Sequence, residues 1–271
     1  SMNAPERITI PIRASSLSEL FDCPARWAAK HIDGMRMPSS GAAQLGTAVH
    51  AGTAVYDSSR LPGGTPVTAD DAAGAVVDAI YKPEHEVDWE EERPQDAERI
   101  ALSLHAKYCC EIAPSQTYAA VEVKCEKLEI PDLGIALTGT TDRIRSTPAG
   151  LGIADLKTGG RAVGADGHAV TKGHGLQLGV YELLAEHAMG LSITADAQII
   201  AMNTGKTPAS QRVAIGDVPN SREVLLGTEE KPGLLEHASR LIHSGAFFWN
   251  PRSMLCSERY CPAHSICRFR G

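Results

Sequence analysis

The stretch that decides the fold is residues 139–160, which read GTTDRIRSTPAGLGIADLKTGG. Two apolar-rich runs, residues 135–144 and 151–156, flank a Ser-Thr-Pro-Ala-Gly cluster. This pattern predicts a strand, a turn and a second strand. Because side chains on a strand alternate between its two faces, Asp155 and Lys157 are expected to point the same way.

The register of this hairpin would bring two carboxylates together. A turn at residues 147–148 is expected to place Asp142 opposite Asp155, with Cβ atoms roughly 5 Å apart. Facing carboxylates repel each other, and a divalent metal between them, with Lys157 beside it, offsets that repulsion. The alternative is a surface hairpin with solvated charges. Apolar residues on both faces of the second strand favour a buried position instead.

The order of these motifs resembles the PD-(D/E)XK nuclease superfamily. An Asp in GxxDR, followed one strand later by DxKTG, is similar to its core, and the likeness is greatest to RecB-family nucleases, which include the AddB nuclease domain and the CRISPR-adaptation nucleases. The resemblance implies an α/β fold with a central mixed β-sheet flanked by helices, the restriction-endonuclease-like core. It also implies that Asp142 and Asp155 bind the metal, with a backbone carbonyl near Leu156, and that Lys157 is catalytic.

Two N-terminal segments carry further matches. Residues 14–31 predict a helix that begins after Ser16 as its N-cap and is interrupted at Cys23. Residues 42–56 predict an Ala-rich helix, on which a lone histidine is by default a buried core residue. The GTAVH string, however, is similar to the first motif of the family, and this likeness implies that His50 is a metal ligand.

The flanking strand and the following helix add three more site residues. Residues 118–130 alternate as a strand and carry Glu122, which corresponds to a family Glu; a solvated carboxylate is an equal alternative. In the helix predicted for residues 175–190, Gln177 and Tyr181 share a face. They match the QxxxY motif of the family, which implies that they contact DNA and support the catalytic site. The alternative is a half-buried Tyr with a solvated hydroxyl.

The remaining chain is expected to complete one nuclease domain over residues 1–271. Residues 61–115 are interpreted as a helical insertion and residues 247–271 as a Cys-rich segment. The other predicted elements are helices at 69–81 and 95–112, strands at 195–202 and 211–217, and a helix at 232–243 with Pro in its first turn.

The C-terminal segment holds Cys256, Cys261 and Cys267 in a C-x4-C-x5-C array. In a reducing compartment such an array indicates metal ligands rather than disulfides, and Cys23 is the best fourth ligand. The set resembles the iron–sulfur staple of the AddB and CRISPR-adaptation nucleases, which implies a 4Fe–4S cluster. The middle spacing is four residues here and usually two in those proteins. Zn²⁺, with His264 as a substitute ligand, therefore stays open.

The net charge of −7 does not exclude a nucleic-acid partner, because it is concentrated in one run. Residues 84–98 hold eight acidic residues and one Arg, so the rest of the chain is balanced. This run is expected to be a solvated face or mobile loop, with mimicry or repulsion of nucleic acid as the alternative. Phosphate contacts are expected from Arg143, Arg145, Arg161 and Lys172 near the metal site, and from Arg252, Arg259, Arg268 and Arg270 near the cysteines.

These features predict a Mg²⁺- or Mn²⁺-dependent DNA exonuclease, and a His ligand among oxygens favours Mn²⁺. No element that reads base edges is evident, so the enzyme is expected to degrade single-stranded DNA from its ends, in recombination, repair or phage- or CRISPR-type processing, with a helicase or recombination partner. The alternatives are a non-cleaving DNA-end-binding subunit, an endonuclease of the same fold, and a structural zinc protein.

The sequence also predicts where the protein works. No apolar run approaches the roughly 20 residues that span a bilayer. The first ten residues lack the basic-then-apolar order of a signal peptide. A soluble, cytoplasmic protein is therefore expected.

Overall fold

A mixed β-sheet forms the centre of the computed structural model, which describes residues 8–90 and 92–271. Its strands are β1 (Ile10–Arg13), β4 (Tyr118–Ile130), β5 (Ile135–Thr147), β6 (Gly150–Gly159), β7 (Ala197–Asn203) and β8 (Val213–Val218). The strand order is β1-β5-β6-β7-β8, and β4 pairs with the other edge of β5. A separate two-stranded parallel pair is formed by β2 (Ser39–Ser40) and β3 (Val87–Asp88).

Helices cover both faces of the sheet. They are α1 (Leu17–Asp22), α2 (Pro24–His31), α3 (Gly41–Ser58), α4 (Ala69–Tyr81), α5 (Pro94–Lys107), α6 (Gly175–Met189), α7 (Ser221–Leu226) and α8 (Leu234–Ser244). This arrangement confirms the predicted fold class, an α/β protein with a central mixed sheet between helices. Each helix in the described ranges is too short or too polar to serve as a membrane span.

The alternation of side chains along the central strands creates two cores. In β7, Ile199 and Ala201 pack into a core shared with α1, α6 and α8, whereas Ile200 and Met202 pack into a second core with α3, α4 and α5. A strand buried on both sides needs apolar residues at consecutive positions, as β7 has. The predicted insertion at residues 61–115 thus supplies two helices, α4 and α5, that pack on α3 over one face of the sheet.

Strand β5 changes partner along one edge. Its first part, Ile135 to Thr138, pairs in parallel with β1, and its last part, Arg143 to Thr147, pairs antiparallel with β6. Beyond Ala154 β6 no longer pairs with β5, while residues 154–159 pair with β7 on the other edge of β6. The two strands therefore diverge just where Asp142 lies, and this opening in the sheet positions the candidate site.

The predicted hairpin is confirmed in its register. Arg143 pairs with Ala154 and Thr147 pairs with Gly150. The turn lies at residues 148–149, one position later than expected, and it is this turn that puts Asp142 opposite Asp155, since a turn centred on 147–148 would put Asp142 opposite Ile153. The predicted interruption at Cys23 is also confirmed, because α1 ends at Asp22 and α2 begins at Pro24.

Several local expectations hold only in part. Ser16 occupies the N-cap position of α1 as predicted, but its side chain does not cap the helix, because its hydroxyl donates to the carbonyl of Arg13. The helix predicted for 95–112 is confirmed in extent, but it is α-helical only to Lys107 and continues to Ile112 as one π-helical turn. Pro232 precedes α8 rather than starting it.

The acidic run is a solvated face rather than one loop. Most of its described acidic side chains are exposed, and residues 84–98 contain β3 and the start of α5. Glu91, within that run, lies outside the described residues, as do residues 1–7, on which most of the signal-peptide prediction rests.

Candidate active site

Three carboxylates lie in a row across adjacent strands. The β4–β5 ladder pairs the residues on either side of Glu122 with those on either side of Asp142, so these two carboxylates face each other. The β5–β6 ladder ends at Arg143 and Ala154, and the next position along its register brings Asp155 opposite Asp142. Facing side chains on neighbouring strands lie within contact distance. The predicted approach of Asp142 and Asp155 is thus a consequence of the observed register, and Glu122 extends it.

His50 joins this row from helix α3. Its Nδ1 lies 3.4 Å from Oδ1 of Asp142. Ligand atoms of His50, Glu122 and Asp142 all lie within 4.8 Å of one another, and no other His, Cys, Asp or Glu trio in residues 8–90 and 92–271 is that tight. Two carboxylates and one imidazole form a donor set that suits Mn²⁺ or Mg²⁺. The residues present therefore fit a divalent metal.

Glu122 adopts a backbone conformation that a strand residue normally avoids. Its φ is +51°, in the left-handed region, although its neighbours on both sides keep the pairing with β5. Such a conformation costs of order 1–3 kcal/mol for a residue other than Gly, and persists where the surroundings enforce it. The strain coincides with the position that brings the Glu122 carboxylate to His50 and Asp142.

Asp142 uses the opening between β5 and β6. Its Oδ2 accepts a hydrogen bond of 2.9 Å from the backbone amide of Leu156, in the part of β6 that has left β5. Burial alone would raise the pKa of Asp142, but the His50 imidazole and hydrogen bonds from Asp155 and Leu156 lower it below its ordinary value. Asp142 is therefore an anion in the metal-free protein.

The pKa values of Asp155 and His50 are raised, in contrast to that of Asp142. Burial and the negative charge of Asp142 raise the pKa of Asp155 to about 8, against the pull of Lys157. Burial would lower the pKa of His50, but the carboxylates of Asp142, Asp155 and Glu122 raise it above its ordinary value. Negative charge in this buried site is thus only partly compensated, and a bound cation would compensate it further.

The stability of the metal-free protein should reflect the raised pKa of Asp155. An unfolded Asp loses its proton near pH 4, whereas folded Asp155 keeps it to about pH 8. Stability should therefore fall as pH rises between these values. Asp155→Asn cannot titrate, so its unfolding free energy should lack this part of the fall. The lowered pKa of Asp142 acts only below this window.

Urea unfolding of both proteins in chelator at several pH values between 4 and 8 measures this effect. The two stability curves should diverge by more than about 1.4 kcal/mol, the equivalent of one pKa unit. Parallel curves would show that Asp155 has an ordinary carboxyl pKa.

Lys157 is held at the end of a hydrogen-bonded chain. Its Nζ lies 2.8 Å from Oδ2 of Asp155 and donates to Oε1 of Gln177 at 2.5 Å. The amide of Gln177 donates in turn to the hydroxyl of Tyr181 at 3.0 Å. Asp155 and Lys157 thus share a face, as expected, and the two residues of the QxxxY motif fix the position of Lys157.

Glycines allow two helices to approach the site strands. A Cβ at Gly139 would lie 3.1 Å from the ring of Tyr181 and 3.2 Å from Leu184, so this position in β5 lets α6 pack closely. A Cβ at Gly46 in α3 would lie 2.6 Å from the hydroxyl of Thr158. A side chain at Gly139 would press on Tyr181 and Leu184, and one at Gly46 would displace the Thr158 hydroxyl, which gives the Gly of GxxDR and of GTAVH a physical reason.

Arg143 does not have the predicted role of a phosphate contact. It is fully buried, and its Nε donates to Oδ2 of Asp57 at 2.9 Å. Arg145 is also buried and donates to the carbonyl of Asp196 at 2.9 Å. A buried guanidinium with internal partners cannot reach a phosphate in solution, so both predictions are corrected. Arg161 and Lys172 are exposed on the loop between β6 and α6.

Sequence reasoning missed the partners of Arg143. Besides Asp57, they include Thr53, and the Tyr108 hydroxyl donates to the same Asp57 oxygen. One signal was available: Thr53 and Asp57 follow His50 by three and seven residues, so all three share a face once the helix predicted for 42–56 is extended by one residue to reach Asp57, which α3 includes. An Asp on the buried face of a helix needs a partner.

The four cysteines named from the sequence surround one cavity of about 230 Å³, lined by Cys23, Cys256, Cys261 and Cys267. His264 lines it too, and its buried Nδ1 has no hydrogen-bond partner among the described residues.

The cysteine segment is attached to the N-terminal helices by several hydrogen bonds. Arg26 donates to the carbonyl of Tyr260, Ala25 to that of Phe248, and the Asn250 side chain to that of Asp22. The segment around Cys23 and the C-terminal cysteine segment therefore meet at this cavity.

Comparison with known proteins places these motifs in one family. A family model described as the PD-(D/E)XK nuclease superfamily matches residues 12–268. A crystal structure of the protein SSO0001 aligns with 95% of this chain and 95% of its own at 14% identity, with a TM-score of 0.35, which is too low to support any argument. No curated protein matches the chain.

Proposed function

Because the chain belongs to the PD-(D/E)XK nuclease superfamily, we propose that it is a metal-dependent DNA exonuclease of the RecB type. The observation that carries the proposal is the convergence of His50, Glu122 and Asp142 beside the Asp155–Lys157 pair. Metal-dependent phosphodiester hydrolysis uses side chains that bind a divalent metal ion and a positively charged side chain that faces the phosphate. In this site the His50, Glu122 and Asp142 group is the first and Lys157 is the second.

The residues that would hold the metal are His50, Glu122, Asp142 and Asp155. When bound, a divalent ion would lower the pKa of a coordinated water and would place positive charge beside the phosphate. The protein contributes a rigid frame, because Asp142 is fixed by the Leu156 amide and Glu122 by its strand. Oxygen-rich coordination with one imidazole favours Mn²⁺ or Mg²⁺.

Lys157 acts on the reacting phosphate. Its ammonium group is oriented by Asp155 and Gln177, so its position is set before substrate arrives. A preorganised cation stabilises negative charge that develops on the phosphate oxygens in the transition state. Gln177 and Tyr181 are positioning residues in this scheme, because they hold Lys157.

The test of this function is cleavage of end-labelled DNA with Mg²⁺, with Mn²⁺ and with chelator. Cleavage should require the metal. Lys157→Ala should keep Mn²⁺ affinity but lose at least about 10²-fold in kcat, since the Lys stabilises the transition state rather than the metal. Chelator-resistant cleavage, or full activity in Lys157→Ala, would contradict the proposal.

The basic loop between β6 and α6 supports DNA as the substrate. It starts three residues after Lys157 and ends three residues before Gln177, and it exposes Arg161 and Lys172. The C-terminal segment exposes Arg252, Arg259, Arg268 and Arg270. Such charges bind a phosphate backbone without selecting a sequence. We propose single-stranded DNA, entered from an end, in cytoplasmic recombination, repair or phage- or CRISPR-type processing beside a helicase or recombination partner.

The cysteine cavity supports a bound 4Fe–4S cluster, because all four predicted thiolate ligands line it together. Such a cluster takes one thiolate on each of its four irons, which matches the number of cysteines at the cavity. His264 remains the substitute ligand if the metal is zinc.

Metal analysis of anaerobically purified protein tests the cluster. The protein should be brown and contain iron and sulfide. Cys256→Ser should lower the soluble yield, because the site joins the segment around Cys23 to the C-terminal cysteine segment and its binding energy contributes to folding. Cys110→Ser, at an exposed cysteine outside the cavity, is the matched control. A colourless preparation with stoichiometric zinc would overturn the iron–sulfur assignment.

A further inference from the structure

Arg143 contacts two of the three candidate metal ligands, Asp142 and Glu122, and also contacts helix α3, which carries the third ligand, His50. Its Nη1 donates to the backbone carbonyl of Asp142 at 2.8 Å and lies 3.5 Å from the Glu122 carboxylate. Its Nε and Nη2 bind Asp57 and Thr53 on α3 at 2.9 and 3.2 Å. One fully buried guanidinium therefore joins β4, β5 and α3.

The helix partners of Arg143 share a face with His50. Thr53 and Asp57 lie about one and two turns after His50, so their side chains project from the same side of α3. The rotation and height of α3 against β5 determine whether the His50 ring reaches Asp142. Fixing Thr53 and Asp57 on Arg143 fixes both quantities.

Two tyrosine hydroxyls complete the hydrogen-bond network around Asp57. The hydroxyl of Tyr108 donates to Asp57 and lies 2.7 Å from the hydroxyl of Tyr118. Asp57 is 3% exposed, so its charge depends on these partners rather than on water. A planar guanidinium can satisfy several acceptors in fixed directions, which an ammonium group cannot do.

On these contacts, and on the proposed function, we infer that Arg143, Thr53 and Asp57 form a clamp that positions His50 and Glu122 around Asp142. Arg143 is a positioning residue, not a DNA contact. Partners that orient metal ligands affect metal affinity or activity by 10–100-fold when they are removed. The clamp should therefore control metal affinity without affecting DNA binding.

The test compares Asp57→Asn, Thr53→Val and Arg143→Gln with Arg222→Gln. Arg222 pairs with Glu182 and Glu186 on α6, so its variant breaks an Arg–carboxylate contact outside the clamp. Thr53→Val retains the Arg143–Asp57 pair and provides a milder variant if Arg143→Gln does not fold. Thermal unfolding establishes which variants are folded.

Two readouts are taken, one of which needs no metal. In metal-free protein, the ring signals of His50, assigned with His50→Gln, should move in Asp57→Asn and Thr53→Val but not in Arg222→Gln. Calorimetric titration with Mn²⁺ alone should show an affinity 10–100-fold weaker in the clamp variants. KM for DNA should stay at the wild-type value while kcat at fixed Mn²⁺ falls.

The outcomes separate the two proposals. Unchanged His50 signals and unchanged Mn²⁺ affinity in folded clamp variants would overturn the clamp, even in an active nuclease. If Arg143→Gln instead raised KM for DNA and reduced the salt dependence of DNA binding by about one phosphate contact, Arg143 would be a phosphate contact rather than a positioning residue. If the His50 signals are displaced in the clamp variants but the wild-type protein neither binds Mn²⁺ nor cuts DNA, the clamp is supported and the proposed function is rejected.

Discussion

Asp142→Asn is expected to lower kcat/KM for DNA hydrolysis by at least about 10³-fold, equivalent to about 4 kcal/mol of transition-state stabilisation. Asp142 lies at the centre of the site, in contact with His50 and across from both Glu122 and Asp155. Replacing its carboxylate removes the anion whose pKa the surroundings hold below the ordinary value. Mn²⁺ affinity should fall together with activity.

Asn is a better choice than Ala at this position. The Asn carbonyl can still accept the hydrogen bond from the Leu156 amide, whereas Ala leaves that buried donor unpaired at a cost of about 1–3 kcal/mol. The metal-free Asn variant should unfold at a urea concentration close to that of wild type. Glu182→Gln, a change of a buried carboxylate paired with Arg222, is the control and should remain active. Comparable activity in Asp142→Asn and wild type would remove Asp142 from the mechanism.

The sequence was sufficient to predict the strand register at the site. An apolar run on each side of a Pro-containing turn determines which residues of β5 and β6 face each other, because a shift by one residue would expose the buried face. Asp142 and Asp155 follow from that register. Gln177 and Tyr181 follow from helical spacing.

Burial of the arginines could not be predicted in the same way. Arg143 and Arg145 alternate with apolar residues in a strand, and nothing local distinguishes a solvated Arg from one that reaches a distant carboxylate. Asp57 lies 86 residues away in sequence, and only the packing of α3 on the sheet brings it to Arg143. The strained conformation of Glu122 is likewise enforced by tertiary contacts rather than by its own propensity.

Linear single-stranded DNA is expected to be degraded while a covalently closed single-stranded circle of the same sequence persists. The reason is that the exposed basic side chains near the site are expected to contact the DNA backbone rather than the bases. Arg161 and Lys172 on the loop beside Lys157 supply positive charge, and the exposed arginines of residues 247–271 supply more. Charge of this kind holds the backbone in any sequence, so selectivity must come from how a strand enters the site.

The two DNAs are compared at equal nucleotide concentration with Mn²⁺ and over a range of salt. Cleavage of the linear strand should weaken with salt by a slope of about −0.7 per phosphate contact in log–log form, as expected for binding to single strands. Arg161→Gln and Lys172→Gln should each reduce that slope by about one contact and leave Mn²⁺ affinity unchanged. Equal rates on circle and line, or discrete sequence-dependent fragments, would show an endonuclease, because cleavage would then start at internal phosphates.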